Sequence, residues 1–264
     1  MKFWAAGRDL LRRLSGNMPV PIDEALWKRT VAAFPFLACL SDDEKVRLRR
    51  LSEQFLAEKR FSAAGDLILN ETMCATIAAQ GCLPILELGL SAYRGWVGIV
   101  VYPDEFVVPR RFEDESGVVH EFDDLISGEA WPRGPLILSW KDARMAGSGY
   151  NVVIHEFAHK LDMQNGEDDG IPLLHSGIQR EVWETTLLSA YDHFCRRVDG
   201  GEETRIDPYA SEHPSEFFAV LTESFFEMPL VVRDEYPELY ELFARYYRQD
   251  PARRLMPQNR SERT

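Results

Sequence analysis

The first third of the chain has hydrophobic residues at spacings of three and four, which is the period of an amphipathic α-helix. Three stretches carry this pattern: PIDEALWKRTVAAF, SDDEKVRLRRLSEQFLAEK and NETMCATIAAQGCLPILELGL. Each has a residue suited to an N-cap near its start, namely Asp23, Ser41 and Asn70. Glu44 completes a capping box with Ser41. The pattern therefore predicts a helical N-terminal part over residues 1–90.

The pattern changes between residues 95 and 140, where β-branched and aromatic residues form short runs separated by glycine, proline and acidic residues. The runs GWVGIVVY, EFVV and PLILSW predict the strands of a small sheet. Helical spacing then returns and predicts helices over residues 151–163, 179–197, 213–226 and 237–248. This order predicts an α+β fold, with a second part over residues 91–264 that can also pack with the first part as one compact unit.

Composition and charge exclude several classes of protein. A chain of 264 residues with 45% hydrophobic residues can bury a sizeable core, and its formal net charge of −13 argues against direct binding to nucleic acid. The longest apolar runs fall well short of the roughly 20 residues that cross a bilayer. Arg8 and Asp9 interrupt the first apolar letters before a signal peptide can form, and the cysteines form no CxxC pair. We expect a cytoplasmic protein without a membrane segment.

The stretch NVVIHEFAHKLD carries the clearest candidate chemistry, because two histidines four residues apart share one face of a helix. His155 and His159 can therefore direct their imidazoles at one ion, and neutral imidazole suits Zn²⁺. Glu156 would project beside the position that a catalytic zinc keeps for water, where a carboxylate can accept a proton. The spacing predicts one zinc ion per chain, with Glu156 as general base. The alternative is a buried apolar helix whose histidines are only hydrogen-bonded.

The third metal ligand has to come from another segment, because Asp162 and Asn165 stand where a metzincin would have glycine and histidine. The stretch DPYASEHPSEFFAVLTESFF offers Glu216 and Glu223. Seven residues apart on a helix, they share nearly the same azimuth but differ by about 10 Å along the axis, so only one easily reaches the ion. Each also has an ordinary role, in helix capping or on an amphipathic face. Spacing leaves both open.

Longer motifs carry a family resemblance: RGWVGIVVYPDEFVV, SGEAW, GPLILSW, IHEFAHKLD and IDPYASEHPSEFFAV. Through them the chain resembles, over nearly its whole length, the Mlc titration factor A family of bacterial zinc peptidases. The resemblance implies a gluzincin with a zincin-like catalytic part similar to that of the anthrax lethal factor protease, in which a tyrosine precedes the glutamate ligand by seven residues. Tyr209 and Glu216 have that separation, so the resemblance selects Glu216 as third ligand. Tyr209 would then stabilise the oxyanion of the reaction, and the alternative is a turn residue that packs after Pro208.

The same resemblance implies an aminopeptidase-type zinc metallopeptidase that acts on peptides. It also implies binding to the transcriptional repressor Mlc, which would link the chain to expression of the glucose phosphotransferase system. The alternative is a regulator without catalysis that only sequesters the repressor. Aromatic and arginine residues in YELFARYYRQDPARRL are candidates for the docking surface, unless they belong to an ordinary amphipathic helix.

Supporting roles stay open for several acidic residues and for one strand. Asp162 could accept a hydrogen bond from a ligand imidazole or simply end the helix face, and Glu223 could support the site or be structural. The free α-amino group of a substrate could be held by Glu129, Asp162, Glu212 or Glu223. PLILSW is predicted to be an edge strand along which an extended peptide can pair.

Overall fold

The computed structural model describes residues 18–113, 119–145 and 149–255, so the segment used to exclude a signal peptide lies outside the described residues. The helices are α1 (Glu24–Ala33), α2 (Pro35–Ala38), α3 (Asp42–Glu58), α4 (Glu71–Cys82), α5 (Trp140–Ala143), α6 (Val152–Asp162), α7 (Arg180–Asp199), α8 (Pro214–Glu227), α9 (Pro229–Glu235), α10 (Pro237–Tyr247) and α11 (Pro251–Arg254). The strands are β1 (Arg60–Ala63), β2 (Gly98–Tyr102), β3 (Phe106–Glu113), β4 (Val119–Ile126), β5 (Gly128–Ala130) and β6 (Leu136–Ser139). Within these ranges, every helix is too short or too polar to span a membrane.

The first helices begin at the predicted residues. Asp23, Ser41 and Asn70 are the N-caps of α1, α3 and α4, and each side chain accepts a hydrogen bond from a backbone N–H of the first turn. Ser41 and Glu44 form the complete capping box. These predictions are confirmed. The caps form because each pairs an N–H group that has no partner inside the helix.

Four strands form a sheet in the order β1-β2-β6-β5, while β3 and β4 form a separate antiparallel hairpin. β1, β2 and β6 are parallel, and β5 pairs with β6 in the antiparallel direction. The prediction of a mixed α and β structure with a small sheet is confirmed. The prediction that PLILSW is an edge strand is wrong, because β6 is hydrogen-bonded on both sides and the edge beside it is β5.

β1 is absent from the sequence-based prediction, which assigned its region to helices. It has only four residues, most of them exposed, which is too short a stretch to stand out from the helical pattern around it. Its conformation comes from parallel pairing with β2, in which Arg60 lies opposite Gly98. Such long-range pairing leaves little trace in the local pattern.

Nearly all of the buried hydrophobic side chains among the described residues form one cluster that extends from Ile22 to Ala252. α4 and α6 approach closely at Gly81, where a Cβ atom would lie 2.5 Å from the ring of Phe157. The Phe157 ring is fully buried against the rings of Phe55, Tyr93 and Trp96. The N-terminal helices therefore support α6 from behind.

The aromatic residues of α10 face the core. Tyr240, Phe243, Tyr246 and Tyr247 are all buried. The suggestion that they form a docking surface is wrong, because these rings make the apolar side of an amphipathic helix, which is the ordinary alternative.

Candidate metal centre

The start of α6 is held by side chains from two other helices. Asn151 is its N-cap and accepts a hydrogen bond from the backbone N–H of Ile154. The Asn151 amide donates to Gln80 of α4 at 2.8 Å and to Glu227 of α8 at 2.9 Å, and its backbone N–H donates to Glu223. The register of α6 against α4 and α8 is thereby set one turn before the first histidine.

The predicted ligands converge from α6 and α8. Glu216 Oε2 lies 3.1 Å from His155 Nε2 and 3.4 Å from His159 Nε2, and the two Nε2 atoms are 3.1 Å apart. Ligand atoms around a tetrahedral zinc, with bonds of about 2.0–2.1 Å, stand roughly 3.3 Å from one another. Glu216 Oε2 is buried without a well-aligned donor among the described residues. This cluster of two imidazoles and a carboxylate fits a metal ion.

The charge state of Glu216 suits that role. Burial by itself raises the pKa of a carboxyl group, but the His155 and His159 imidazoles bring the pKa of Glu216 well below its usual range. Glu216 is therefore an anion that accepts from any donor or cation between the rings.

The outer nitrogens of the two imidazoles also face carboxylates. His155 Nδ1 lies 2.7 Å from Glu223 Oε1, and His159 Nδ1 lies 3.5 Å from Asp168 Oδ1. A carboxylate behind a ligand imidazole holds the tautomer that leaves Nε2 free to bind. Glu216 and Glu223 thus stand on opposite sides of His155, one towards the ligand cluster and one behind the ring.

Asp168 is a residue that the sequence reasoning missed. It lies in the Gly/Asp-rich loop after α6, and that composition was the only available signal. Asp162, which was considered as an imidazole partner, is fully buried and accepts a hydrogen bond from the Gly170 N–H at 2.7 Å. Asp162 therefore anchors the loop that carries Asp168.

Glu156 is buried beside the edge strand β5. Burial raises its pKa to about 7, against the opposing effect of the His155 and His159 imidazoles. A Cβ atom on Gly128 would lie 2.5 Å from Glu156 Oε1, so the absence of a side chain at this strand position makes room for the carboxylate. A carboxyl group with a pKa near neutrality can both accept and return a proton.

Tyr209 lies next to the ligand cluster in the short 3-10 segment Pro208–Ser211. Asp207 accepts a hydrogen bond from the Tyr209 N–H at 3.0 Å and fixes the turn. The Tyr209 ring centroid is 6.2 Å from that of His155, and 52% of the residue is exposed. Burial of its inner part raises the pKa of the phenol, which therefore stays a hydrogen-bond donor.

The four candidates for holding a substrate amino group separate by exposure. Asp162 and Glu223 are buried and occupied by the contacts described above. Glu212 is exposed at the end of the Tyr209 segment, and Glu129 lies on β5, where it accepts a hydrogen bond from the Trp131 indole at 2.6 Å. Only Glu129 and Glu212 are left as candidates.

The chain is similar to known proteins along most of its length. A family model described as glucose-regulated metallo-peptidase M90 matches residues 10–248. Mlc titration factor A of Cronobacter sakazakii is 42% identical over 244 residues, which cover 90% of this chain and 89% of the relative. The proteins of the same name from Pectobacterium atrosepticum and Salmonella typhi are each 40% identical, over 87% and 92% of this chain and 88% and 91% of the relative. The matched range includes α6, the Tyr209 segment and α8.

Proposed function

The chain belongs to the glucose-regulated metallo-peptidase M90 family, and from this premise we propose that it is a zinc-dependent peptidase of aminopeptidase type with a zincin-like fold. The observation that carries the proposal is the convergence of His155, His159 and Glu216 beside the buried carboxylate of Glu156. One zinc ion per chain is the metal that this set of two imidazoles and a carboxylate favours.

When bound, the zinc ion supplies Lewis acidity toward a peptide carbonyl and toward water. His155, His159 and Glu216 hold the metal, while Glu223 and Asp168 keep the imidazoles oriented. Glu156 accepts the proton of the attacking water on a carboxylate oxygen and passes it to the leaving amine. The Tyr209 hydroxyl donates a hydrogen bond to the carbonyl oxygen as negative charge develops there.

The edge strand β5 offers a place where an extended peptide substrate can pair. Among the described strands β5 pairs only with β6, and its Gly128 is in contact with Glu156. An extended substrate that pairs along β5 would bring a peptide carbonyl between Glu156 and Tyr209. This arrangement replaces the pairing along PLILSW expected from the sequence.

The test is the Glu156→Gln variant. We expect it to bind zinc as well as the native protein does and to lose hydrolysis of a chromogenic amino-acid amide by about a thousandfold, since the amide cannot accept the proton. Glu184→Gln, on the exposed side of α7, is the matched control and should keep full activity. Turnover retained in Glu156→Gln, with zinc bound, removes the proposed base.

Aminopeptidase specificity is tested separately, by comparing a peptide that has a free α-amino group with the same peptide N-acetylated. We expect cleavage of the free form to be faster by at least about tenfold, because a buried or paired ammonium adds a charge-assisted hydrogen bond. Equal rates would leave a peptidase that does not require the amino group.

A second function is favoured by the relatives, which are named for the titration of Mlc. We infer that this chain also binds an Mlc-like repressor protein, with no direct contact to nucleic acid. A pull-down of purified repressor by the Glu156→Gln variant tests whether binding is independent of catalysis. If neither the native chain nor the variant binds the repressor, this inference is contradicted, and the peptidase proposal is unaffected.

A further inference from the structure

A cavity of about 320 Å³ lies apart from the metal cluster, between the segment 94–96, Arg133 and the C-terminal end of α6. The side chains that line it bring N–H donors from several directions: Arg94, Trp96, Arg133, Lys160, Gln164 and Asn165. None of the described residues lining it is an aspartate or glutamate. In a chain with a formal net charge of −13, this is a local excess of positive charge.

Some of these donors already serve the architecture of the cavity. The Lys160 ammonium donates to the backbone carbonyls of Trp131 and Gly134 at 2.6 and 3.1 Å. It ties the turn that carries Arg133, whose φ of 54° is a conformation that L-residues rarely adopt. The turn is therefore held in a shape that keeps Arg133 at the cavity.

Two guanidinium groups are still available. Arg94 and Arg133 are both exposed, and neither has an ion-pair or hydrogen-bond partner for its side chain among the described residues. A guanidinium presents a planar set of N–H donors that matches two oxygens of one oxyanion.

The indole of Trp96 supplies an independent sign of a missing ligand. Trp96 is 5% exposed, and its Nε1 is buried with no hydrogen-bond partner in the described structure. An unpaired buried N–H is costly, so such groups are usually satisfied. The Lys59 and Lys160 ammonium groups lie 3.7 and 5.0 Å from the Trp96 ring. These two ammonium groups favour a hydrogen-bond acceptor that carries negative charge.

We propose that this cavity binds a phosphate group, either as inorganic phosphate or as the phosphoryl end of a small phosphomonoester. A tetrahedral dianion has enough oxygens and charge to accept from the Arg94 and Arg133 guanidinium groups at once, whereas a carboxylate has two oxygens and one charge. The volume leaves room for a small organic group beyond the phosphate.

Binding is measured by titrating the full-length, zinc-loaded protein with inorganic phosphate at constant ionic strength. The readout is the ¹⁵N–¹H resonance of the Trp96 indole, assigned by its loss in Trp96→Phe. We expect a saturable shift with phosphate and with glycerol phosphate, and none with acetate. Tighter binding of the ester identifies a phosphomonoester as the ligand, and tighter binding of the free ion identifies inorganic phosphate.

The double variant Arg94→Gln/Arg133→Gln should weaken phosphate binding by about a hundredfold, because two charge-assisted contacts are lost. Both residues are exposed, so folding is preserved. The control Arg196→Gln/Arg205→Gln removes the same charge from surface positions outside the cavity and should bind like the native chain. An unchanged indole resonance at saturating phosphate, an equal response to acetate, or equal binding by the two double variants overturns the proposal.

Discussion

Glu216 and Glu223 occupy the same face of one helix yet meet different nitrogens of His155. Glu216 approaches Nε2 at 3.1 Å, and Glu223 approaches Nδ1 at 2.7 Å. Their separation of two turns along α8 makes one carboxylate a proposed ligand and the other its support. Charge and helix propensity do not distinguish the two residues, because both are glutamates on the same helix.

The metal content of two variants tests this difference. Glu216→Ala should lose stoichiometric zinc, because a direct ligand is removed. Glu223→Gln should still bind zinc, with affinity lower by about 10–100-fold, since only the partner of an imidazole changes. Zinc per chain after dialysis, together with competition by a chelator, gives both values. A full complement of zinc in Glu216→Ala would contradict the ligand assignment.

Lys59 provides a prediction about pH. Its ammonium is buried and donates to the carbonyls of Tyr93 and Trp96 at 2.6 and 2.8 Å. Burial lowers its pKa from 10.5 to about 8. The folded protein therefore loses this proton above pH 8, while the unfolded chain keeps it up to about pH 10.5. The contribution of Lys59 to the free energy of unfolding is lowest below pH 8 and rises with pH across that window.

The measurement is urea unfolding of the native chain and of Lys59→Met at pH 7 and pH 9.5. The free energy of unfolding of the native chain should gain about 2 kcal/mol relative to the variant at the higher pH. Taking the difference between the native chain and the variant removes the contribution of other groups that titrate between pH 7 and pH 9.5. A difference that is independent of pH would mean that Lys59 has an ordinary pKa.

Among the elements, β5 is the one whose position decides the environment of Glu156, the proposed general base. It has three residues and lies against α6, with Gly128 at the point of contact with Glu156. A side chain at this position would occupy the space of the carboxylate. In the proposed function, this strand combines an edge that is unpaired among the described strands with the space that Glu156 occupies.

Gly128→Ala tests this arrangement. The added Cβ would lie 2.5 Å from Glu156 Oε1, so the carboxylate must move. We expect kcat to fall by about a hundredfold or more with zinc content unchanged, because displacement of a catalytic group by about 1 Å is enough for such a loss. Gly177→Ala, where the nearest atom is a ring nitrogen of His175 at 3.3 Å, is the control. Native kcat in Gly128→Ala would exclude a tight contact in the working enzyme.

At the scale of the whole molecule, the proposed metal joins α6 to α8, and the core that supports both helices begins in the N-terminal part. We propose that the described residues of the predicted N-terminal part, 18–90, and those of the second part unfold as one unit rather than as two domains. The contact of α4 with α6 through Gly81 and Phe157 is the main physical reason.

Thermal unfolding with and without chelator tests the unit and the metal together. Far-ultraviolet circular dichroism and tryptophan fluorescence should give one common midpoint. Zinc at a concentration of about a thousand times its Kd should add roughly 4 kcal/mol to the free energy of unfolding. Its removal by the chelator should therefore lower the midpoint by roughly 10 °C in a chain of this size. Glu216→Ala should show no effect of chelator. Separate midpoints for the two probes would instead indicate two domains.

Much of the site follows from local pattern. His155, Glu156 and His159 are determined as neighbours by helical spacing, and the helix starts at Asp23, Ser41 and Asn70 follow from the chemistry of single caps. The misplaced features were those whose partners are distant in sequence. β6 has the apolar letters of a strand, but these do not state how many of its sides are paired.

The sequence by itself determined the mixed fold, the helix that carries both histidines and two candidate carboxylates for the third ligand, because each depends on spacing within one element. Spacing left the choice between Glu216 and Glu223 open and the family resemblance selected Glu216, whereas the tertiary structure brings its Oε2 to Nε2 of His155. Only the tertiary structure decided that Asp168 stands behind His159 and that β5, not β6, is an edge strand among the described strands. These relations depend on how separate elements pack, and packing is a property of shapes that meet in space rather than of neighbouring letters.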